Sequence, residues 1–148
     1  ELLFAIDKCK KSCNMYVKEA QNGDLVEHGK VLIAPGNFQM RLKKRANSYF
    51  VECTKEEKVS GHCPSVDVLF ESVSNIEGIK SIGVILTGMG QDGAKGLLMM
   101  KNSGAITIGQ DEKSSVVYGM PRAAFELGAV KYQLSLNEIP SFVMSKVN

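Results

Sequence analysis

The sequence has almost no excess charge of either sign and no long apolar run. It has 148 residues, with 18 Lys and Arg against 16 Asp and Glu, and the net charge of +2 provides no field that favours nucleic acid or acidic lipid. Its longest apolar runs are strand-sized, such as residues 82–86, and fall far below the roughly 20 residues that span a bilayer. We therefore expect neither a nucleic-acid partner nor insertion into a membrane.

The cysteines show no repeated spacing. Cys9 and Cys13 are separated by three residues, while Cys53 and Cys63 follow at unrelated intervals, so neither a zinc site nor a disulfide framework is indicated. Nothing near the N-terminus resembles a secretory signal. These features are typical of a reducing, cytoplasmic compartment, and we expect no bound metal.

The pattern of apolar residues predicts a single α/β domain over residues 1–148. From residue 81 onward, strand-sized apolar runs alternate with helical patterns, an order that favours right-handed crossovers. The expected fold is doubly wound and Rossmann-like, with a mostly parallel sheet and helices on both faces. The predicted strands lie at residues 82–86, 105–108 and 132–136, and the predicted helices at 94–101, 121–127 and 139–147.

The first 80 residues carry a different pattern. It predicts a helix over residues 2–13 and an amphipathic helix over residues 65–76, whose apolar face packs on the sheet. Residues 48–52 alternate between polar and apolar side chains, which predicts a strand near a sheet edge. Short apolar runs at residues 16–20 and 30–34 each lead into turn signals.

The densest functional signal is the glycine-rich run at residues 88–93, which follows a predicted strand and precedes a predicted helix. Its glycines fit G-x-G-x-x-G, and Asp111 and Glu112 lie about 20 positions further on, as in a dinucleotide-binding fingerprint. Asp92 argues against that hypothesis, because a carboxylate beside a helix N-terminus repels a pyrophosphate. A dinucleotide loop also usually opens the first βαβ unit, whereas this run lies late in the sequence.

Asp92 admits two other interpretations. At the carboxyl end of a strand in an open α/β sheet, a carboxylate can orient a histidine in a nucleophile-base-acid triad. Asp92 can equally cap the helix that starts at Gly93, a role that aspartate fills well. No clear nucleophile and base accompany it: His28 lies in a polar turn, His62 precedes a helix that Ser65 is expected to cap, and no G-x-S-x-G elbow is present.

Six short segments occur in an order and at a spacing that match a known family. They are VKEA (17–20), VLIAPG (31–36), PSVDVLF (64–70), LTGMGQDG (86–93), GQDE (109–112) and YGMP (118–121). Together they resemble the catalytic domain of the CheB methylesterase family, and the resemblance spans nearly the whole chain. It identifies the glycine-rich run as the family's aspartate loop, so no nucleotide or other cofactor is implied.

The resemblance implies an α/β serine hydrolase that cleaves glutamate γ-methyl esters, and deamidates certain glutamines, on the cytoplasmic helices of bacterial chemoreceptors. Methylated receptor helices are the implied partner. The family usually also carries a phosphoacceptor receiver domain, which is not visible in this sequence. Asp92 resembles the triad acid, and the backbone amide of Met89 resembles a donor of the oxyanion hole.

The sequence departs from the family pattern in the other two members of the triad. The family's serine, in a Ser-Thr-Gly-Gly turn, and its histidine, in a Gln-His-Met-Pro segment, have no counterpart here and are expected to precede Glu1. We therefore expect an N-terminally incomplete catalytic domain that is inactive as this chain alone. The alternative is a catalytically inactive module that binds receptors. Gln39 stands where the family commonly has histidine, and Cys63 where it often has arginine.

Overall fold

A computed structural model describes residues 14–147 and confirms the α/β class. Strands and helices alternate in its second half, as predicted, and the helix predicted over residues 2–13 lies outside the described residues. The strands are β1 (Tyr16–Glu19), β2 (Lys30–Ile33), β3 (Gln39–Arg45), β4 (Ser48–Thr54), β5 (Ile82–Ile85), β6 (Ile106–Gln110) and β7 (Tyr132–Leu134). The helices are α1 (Val66–Ser74), α2 (Ala94–Asn102), α3 (Met120–Glu126) and α4 (Ile139–Lys146).

Most of the strand pairing is parallel, as the sequence predicts. β5, β6 and β7 form a parallel sheet in chain order, with Val84 opposite Ile108 and Ile108 opposite Tyr132. β1 and β2 form a second parallel pair, with Val17 opposite Val31. In a parallel sheet all strands end at the same edge, so the loops after β5 and β6 lie side by side there.

The exception is the antiparallel hairpin of β3 and β4. The sequence pattern predicts β4 as an edge strand but does not predict β3, because four of its seven residues are Lys or Arg. The two strands pair with Met40 opposite Cys53 and with Leu42 opposite Val51. Burial of this apolar face stabilises β3 as a strand despite the cationic residues that alternate with it.

Buried apolar side chains form the core of the second half of the fold. Ile85, Leu97 and Ala124 form a core between β5, α2 and α3, and each large apolar side chain there contributes about 1.5–3 kcal/mol by leaving water. α1 and α2 approach so closely that a Cβ on Gly96 of α2 would lie 2.7 Å from the Cβ of Phe70 in α1. The N-termini of α1 and α2 are thereby side by side. Within residues 14–147, no helix combines the length and apolarity that crossing a membrane requires.

Candidate active site

Thr87 and the glycine-rich run of residues 88–93 form a turn between β5 and α2. We call this turn the aspartate loop (residues 87–93). Gly90 and Gly93 have φ of +94° and +95°, left-handed conformations that residues with a side chain rarely adopt. Gly93 is also tightly packed, since a Cβ there would lie 2.8 Å from Cγ1 of Val66. The turn therefore brings Asp92 against the start of α1.

The carboxylate of Asp92 is buried and accepts three hydrogen bonds. Its Oδ1 accepts from the hydroxyl of Ser65 at 2.7 Å and from the amide of Asp67 at 3.1 Å, and its Oδ2 accepts from the amide of Val66 at 2.8 Å. Asp92 is only 4% exposed. Because an ionised carboxylate has about four acceptor positions, Oδ2 keeps one position for a further donor.

Asp92 caps a helix, but a different helix from the one that the sequence suggests. Its carboxylate accepts from the first two amides of α1 and from no amide of α2 within the described residues. Ser65 occupies the N-cap position of α1, yet its hydroxyl makes no bond to α1 and donates to Asp92 instead. A full negative charge at the positive end of α1 is a stronger acceptor than a neutral hydroxyl, which explains why Asp92 takes this role.

Asp67 caps α2 in the same way that Asp92 caps α1. Its Oδ1 accepts from the amide of Gly96, the third residue of α2, at 2.8 Å, and its Oδ2 accepts from the hydroxyl of Ser60 at 3.0 Å. Each of the two adjacent helix starts is thus capped by a carboxylate that comes from the start of the other. We call this arrangement of Asp67 and Asp92 the reciprocal cap.

The segment before α3 holds the aspartate loop from the other side. The amide of Gly88 donates to the carbonyl of Val117 at 3.1 Å, and the amide of Met120 donates to the carbonyl of Gly88 at 2.7 Å. Between these two bonds, the amide of Met89 has no acceptor among residues 14–147. An unpaired amide that its neighbours hold in place is the kind of donor that stabilises an oxyanion.

The close approach of these two segments depends on Gly119. A Cβ on Gly119 would lie 2.6 Å from the carbonyl oxygen of Gly88 and 3.2 Å from the Cα of Met89. Gly119 belongs to the YGMP segment, and the sequence alone indicates no role for it. Its role is to let the backbone before α3 touch the backbone of the aspartate loop.

The other residues considered from the sequence lie outside this arrangement. His28 and His62 are both exposed, and neither side chain bonds Asp92.

The carboxylate of Asp111, which a dinucleotide would need for its ribose, accepts from the amide and hydroxyl of Ser114, and these bonds lower the pKa of the Asp111 carboxyl. Burial raises the pKa of the Cys53 thiol. Among the described residues, no three His, Cys, Asp or Glu side chains are grouped to hold a metal ion.

The structure also places Gln39 behind the site. Gln39 is fully buried and its Oε1 accepts from the amide of Ser65 at 2.8 Å. From the sequence alone, Gln39 is only a departure from the family's usual histidine. Its contact with Ser65 spans 26 positions, and no local pattern reveals such a contact.

The fold and the loop define an α/β domain with parallel strands, which presents a buried aspartate and an unpaired amide at the carboxyl end of a strand. Residues 5–143 match the family described as CheB methylesterase. The chain belongs to this family.

Individual relatives agree with this assignment. The chain is 57% identical over 142 residues to protein-glutamate methylesterase/protein-glutamine glutaminase 2 of Syntrophomonas wolfei, an alignment that covers 96% of this chain and 42% of that protein. It is 54% identical over 127 residues to protein-glutamate methylesterase/protein-glutamine glutaminase of Sulfurimonas denitrificans. That alignment covers 86% of this chain and 36% of that protein. The crystal structure of the Thermotoga maritima CheB methylesterase catalytic domain superposes with a TM-score of 0.91 at 36% identity, covering 96% of this chain and 75% of that chain. The chain therefore spans roughly two-fifths of the length of these curated relatives.

Proposed function

We propose that the complete protein is a protein-glutamate methylesterase that also deamidates glutamine, with Asp92 as the acid of a Ser-His-Asp triad. The observation that carries the proposal is the Asp92 carboxylate, which three donors hold in place while its Oδ2 keeps one acceptor position. The two relatives described above are named as protein-glutamate methylesterases and protein-glutamine glutaminases, which supports the choice of reaction.

In this proposal the serine and the histidine come from a part of the complete protein beyond the 148 residues. His28 and His62 are exposed and do not bond Asp92, and residues 1–13 contain no histidine. The imidazole that reaches Asp92 then enters from outside this chain. For the same reason, we expect this chain alone to be inactive, since serine and histidine act as a unit in a triad.

The proposed reaction uses Asp92 and Met89 in different steps of charge stabilisation. As the serine hydroxyl attacks the γ-carbonyl carbon of the esterified glutamate, the histidine takes its proton, and Asp92 Oδ2 accepts from the imidazole N–H and stabilises the imidazolium. The Met89 amide donates to the carbonyl oxygen, which becomes negative in the tetrahedral intermediate. The histidine returns the proton to the departing methanol, and water then cleaves the acyl-serine to free glutamate. With a glutamine substrate the leaving group is ammonia.

Methylated glutamates on the cytoplasmic helices of chemoreceptors are the proposed substrate, which places the reaction in the cytoplasm. The side chains of Met89 and Val116 are 82% and 91% exposed and belong to the two segments that meet at Gly88 and Val117. They offer apolar contact to the aliphatic part of a methylated side chain. The proposed reaction uses no cofactor and no metal.

Release of methanol from methylated receptor membranes tests the proposal. The complete protein is expected to release methanol, and the 148-residue chain is expected to release none. Release by the 148-residue chain would mean that its own Ser, His or Cys residues build the site, contrary to the proposal. If neither form releases methanol while both bind the membranes, the protein is a receptor-binding module instead.

A further inference from the structure

We infer that Ser65, which Gln39 holds in place, is a positioning residue for the proposed hydrolysis and that it acts by fixing the carboxylate of Asp92. The inference rests on the proposed function. It assigns a role to two side chains that lie far from Asp92 in the sequence and that the reaction itself does not require.

The Ser65 hydroxyl donates to Oδ1 of Asp92. Oδ1 of Asp92 has two donors, the Ser65 hydroxyl and the Asp67 amide, whereas Oδ2 has the Val66 amide alone. Both capped amides of α1 therefore keep their partner without the hydroxyl. The hydroxyl instead fills the last acceptor position of Oδ1, so the only position left on the carboxylate is on Oδ2. An incoming imidazole N–H then meets a single acceptor in a single direction.

The backbone of Ser65 is held by Gln39. The Gln39 amide has its two ends in different surroundings: Oε1 accepts from the Ser65 amide at 2.8 Å, and Nε2 donates to the carbonyls of Glu57 at 3.1 Å and His62 at 3.2 Å. This set of partners fits only one orientation of the amide, since its NH₂ must face the two carbonyls. Gln39 thus ties the backbone of Ser65 to the segment that contains residues 57–62.

Gln39, Ser65 and Asp92 are all buried. Gln39 is 0% exposed, Ser65 is 2% exposed and Asp92 is 4% exposed. Hydrogen bonds in such a dry chain are strong and poorly replaced by water. The path from Gln39 through Ser65 to Asp92 therefore acts as a rigid support, in the way that outer-shell partners orient the groups that perform the chemistry.

A buried serine within α1, Ser72, provides a matched control. The hydroxyl of Ser72 donates to the carbonyl of Leu69 at 2.6 Å and accepts from the amide of Leu42 at 2.8 Å. It has two hydrogen bonds, neither of them to Asp92, and Ser72 is 8% exposed. Ser72→Ala removes a buried hydroxyl from the helix that follows Ser65 and leaves the hydrogen bonds of Asp92 intact.

The experiment compares Ser65→Ala, Ser65→Thr and Ser72→Ala in the complete protein. We expect Ser65→Ala to lower kcat for methanol release roughly 10- to 100-fold with KM unchanged, the loss typical of a misplaced catalytic group or a lost orienting partner. Ser65→Thr, which keeps the hydroxyl, is expected to restore most of the rate. Ser72→Ala is expected to lower the melting temperature with kcat unchanged. The reaction of the proposed serine with a fluorophosphonate reagent provides a second readout that needs no receptor, and Ser65→Ala should slow it by a similar factor.

The outcomes separate this inference from the proposed function. If the unmodified protein neither releases methanol nor reacts with the fluorophosphonate, the proposed function is wrong. If the unmodified protein is active and Ser65→Ala matches it in kcat, the positioning role is wrong. The positioning role is also wrong if Ser65→Ala and Ser72→Ala lose activity equally, or if Ser65→Thr is as slow as Ser65→Ala, because the serine would then serve the fold alone.

Discussion

Replacing Asp92 by asparagine tests both roles of this residue, the cap of α1 and the proposed triad acid. The NH₂ group of asparagine cannot accept a hydrogen bond. Oδ1 of Asp92 has two donors and Oδ2 has one, so the less costly orientation places the NH₂ at the Oδ2 position, against the amide of Val66. That partly buried amide then has no acceptor.

The expected loss of stability follows from these contacts. An unpaired buried amide costs about 1–3 kcal/mol, and loss of a negative charge at the start of a helix costs about 0.3–1 kcal/mol more. We expect Asp92→Asn to reduce the free energy of unfolding by about 2–3 kcal/mol, which corresponds to roughly 5–10 °C in Tm for a domain of this length. Urea unfolding followed by circular dichroism measures this difference.

The expected loss of activity is larger. With the NH₂ at the Oδ2 position, the group that should accept from the imidazole N–H becomes a donor, and the wrong histidine tautomer is favoured. The corresponding change in another Ser-His-Asp enzyme lowers turnover about 10⁴-fold, and we expect a similar loss of methanol release here.

Asp67→Asn is the matched control, because Asp67 is the other member of the reciprocal cap. Its Oδ2 faces the hydroxyl of Ser60, which can accept a hydrogen bond from an asparagine NH₂, while its Oδ1 still accepts from the Gly96 amide. We expect a loss of stability below about 1 kcal/mol and an unchanged kcat. If Asp92→Asn is as stable as the unmodified protein, the capping argument is refuted. If its kcat is unchanged, Asp92 is not the triad acid.

Two further predictions concern the aspartate loop and the hairpin. Gly119→Ala places a Cβ 2.6 Å from the carbonyl oxygen of Gly88, and we expect it to cost about 1–3 kcal/mol in urea unfolding and to lower kcat by up to about 10²-fold. Gly36→Ala, whose Cβ meets nothing within 4 Å, should change neither value, and equal behaviour of the two variants would contradict the role given to Gly119. Hydrogen bonds from Arg41 and Thr54 lower the pKa of Glu56 from 4.5 to about 2. A pKa that is lower in the folded state stabilises the fold above pH 4.5, and this contribution is lost as the pH falls toward 2. In urea unfolding at a series of pH values, Arg41→Gln should therefore weaken the dependence of stability on pH in that range, and an unchanged slope would refute this account.

Features that depend on local pattern could be predicted from the sequence. The alternation of apolar runs predicts β5, β6, β7 and the helices α2 and α3 to within a few residues, because strand and helix periods differ clearly when one face is buried. β3 escapes prediction, since its apolar residues are only Met40 and Leu42 and its stability comes from pairing with β4.

In the candidate site, too, local motifs could be predicted from the sequence but contacts between distant residues could not. The glycine-rich run and Asp92 stand out as a motif, and the resemblance to the family assigns them a role that stays a prediction. The contact between Asp92 and Ser65 spans 27 positions, and only the packing of α1 against α2 creates it. Sequence reasoning assigns each of these residues to the helix that it precedes. Ser65 is the N-cap residue of α1, as expected, although its hydroxyl donates to Asp92. For Asp92 the assignment to α2 is wrong, because its charged carboxylate accepts from the amides of α1 instead.

The reciprocal cap makes the start of each helix incomplete without the other. If the chain were cut in the loop between α1 and β5, at residues 76–81, the first fragment would keep Asp67 and the uncapped amides of Val66 and Asp67, and the second would keep Asp92 and the uncapped amide of Gly96. Each fragment would expose a carboxylate and the donors that the other fragment's carboxylate needs. The two fragments are therefore suited to recognise one another and reassemble. The candidate active site would form at the interface between them.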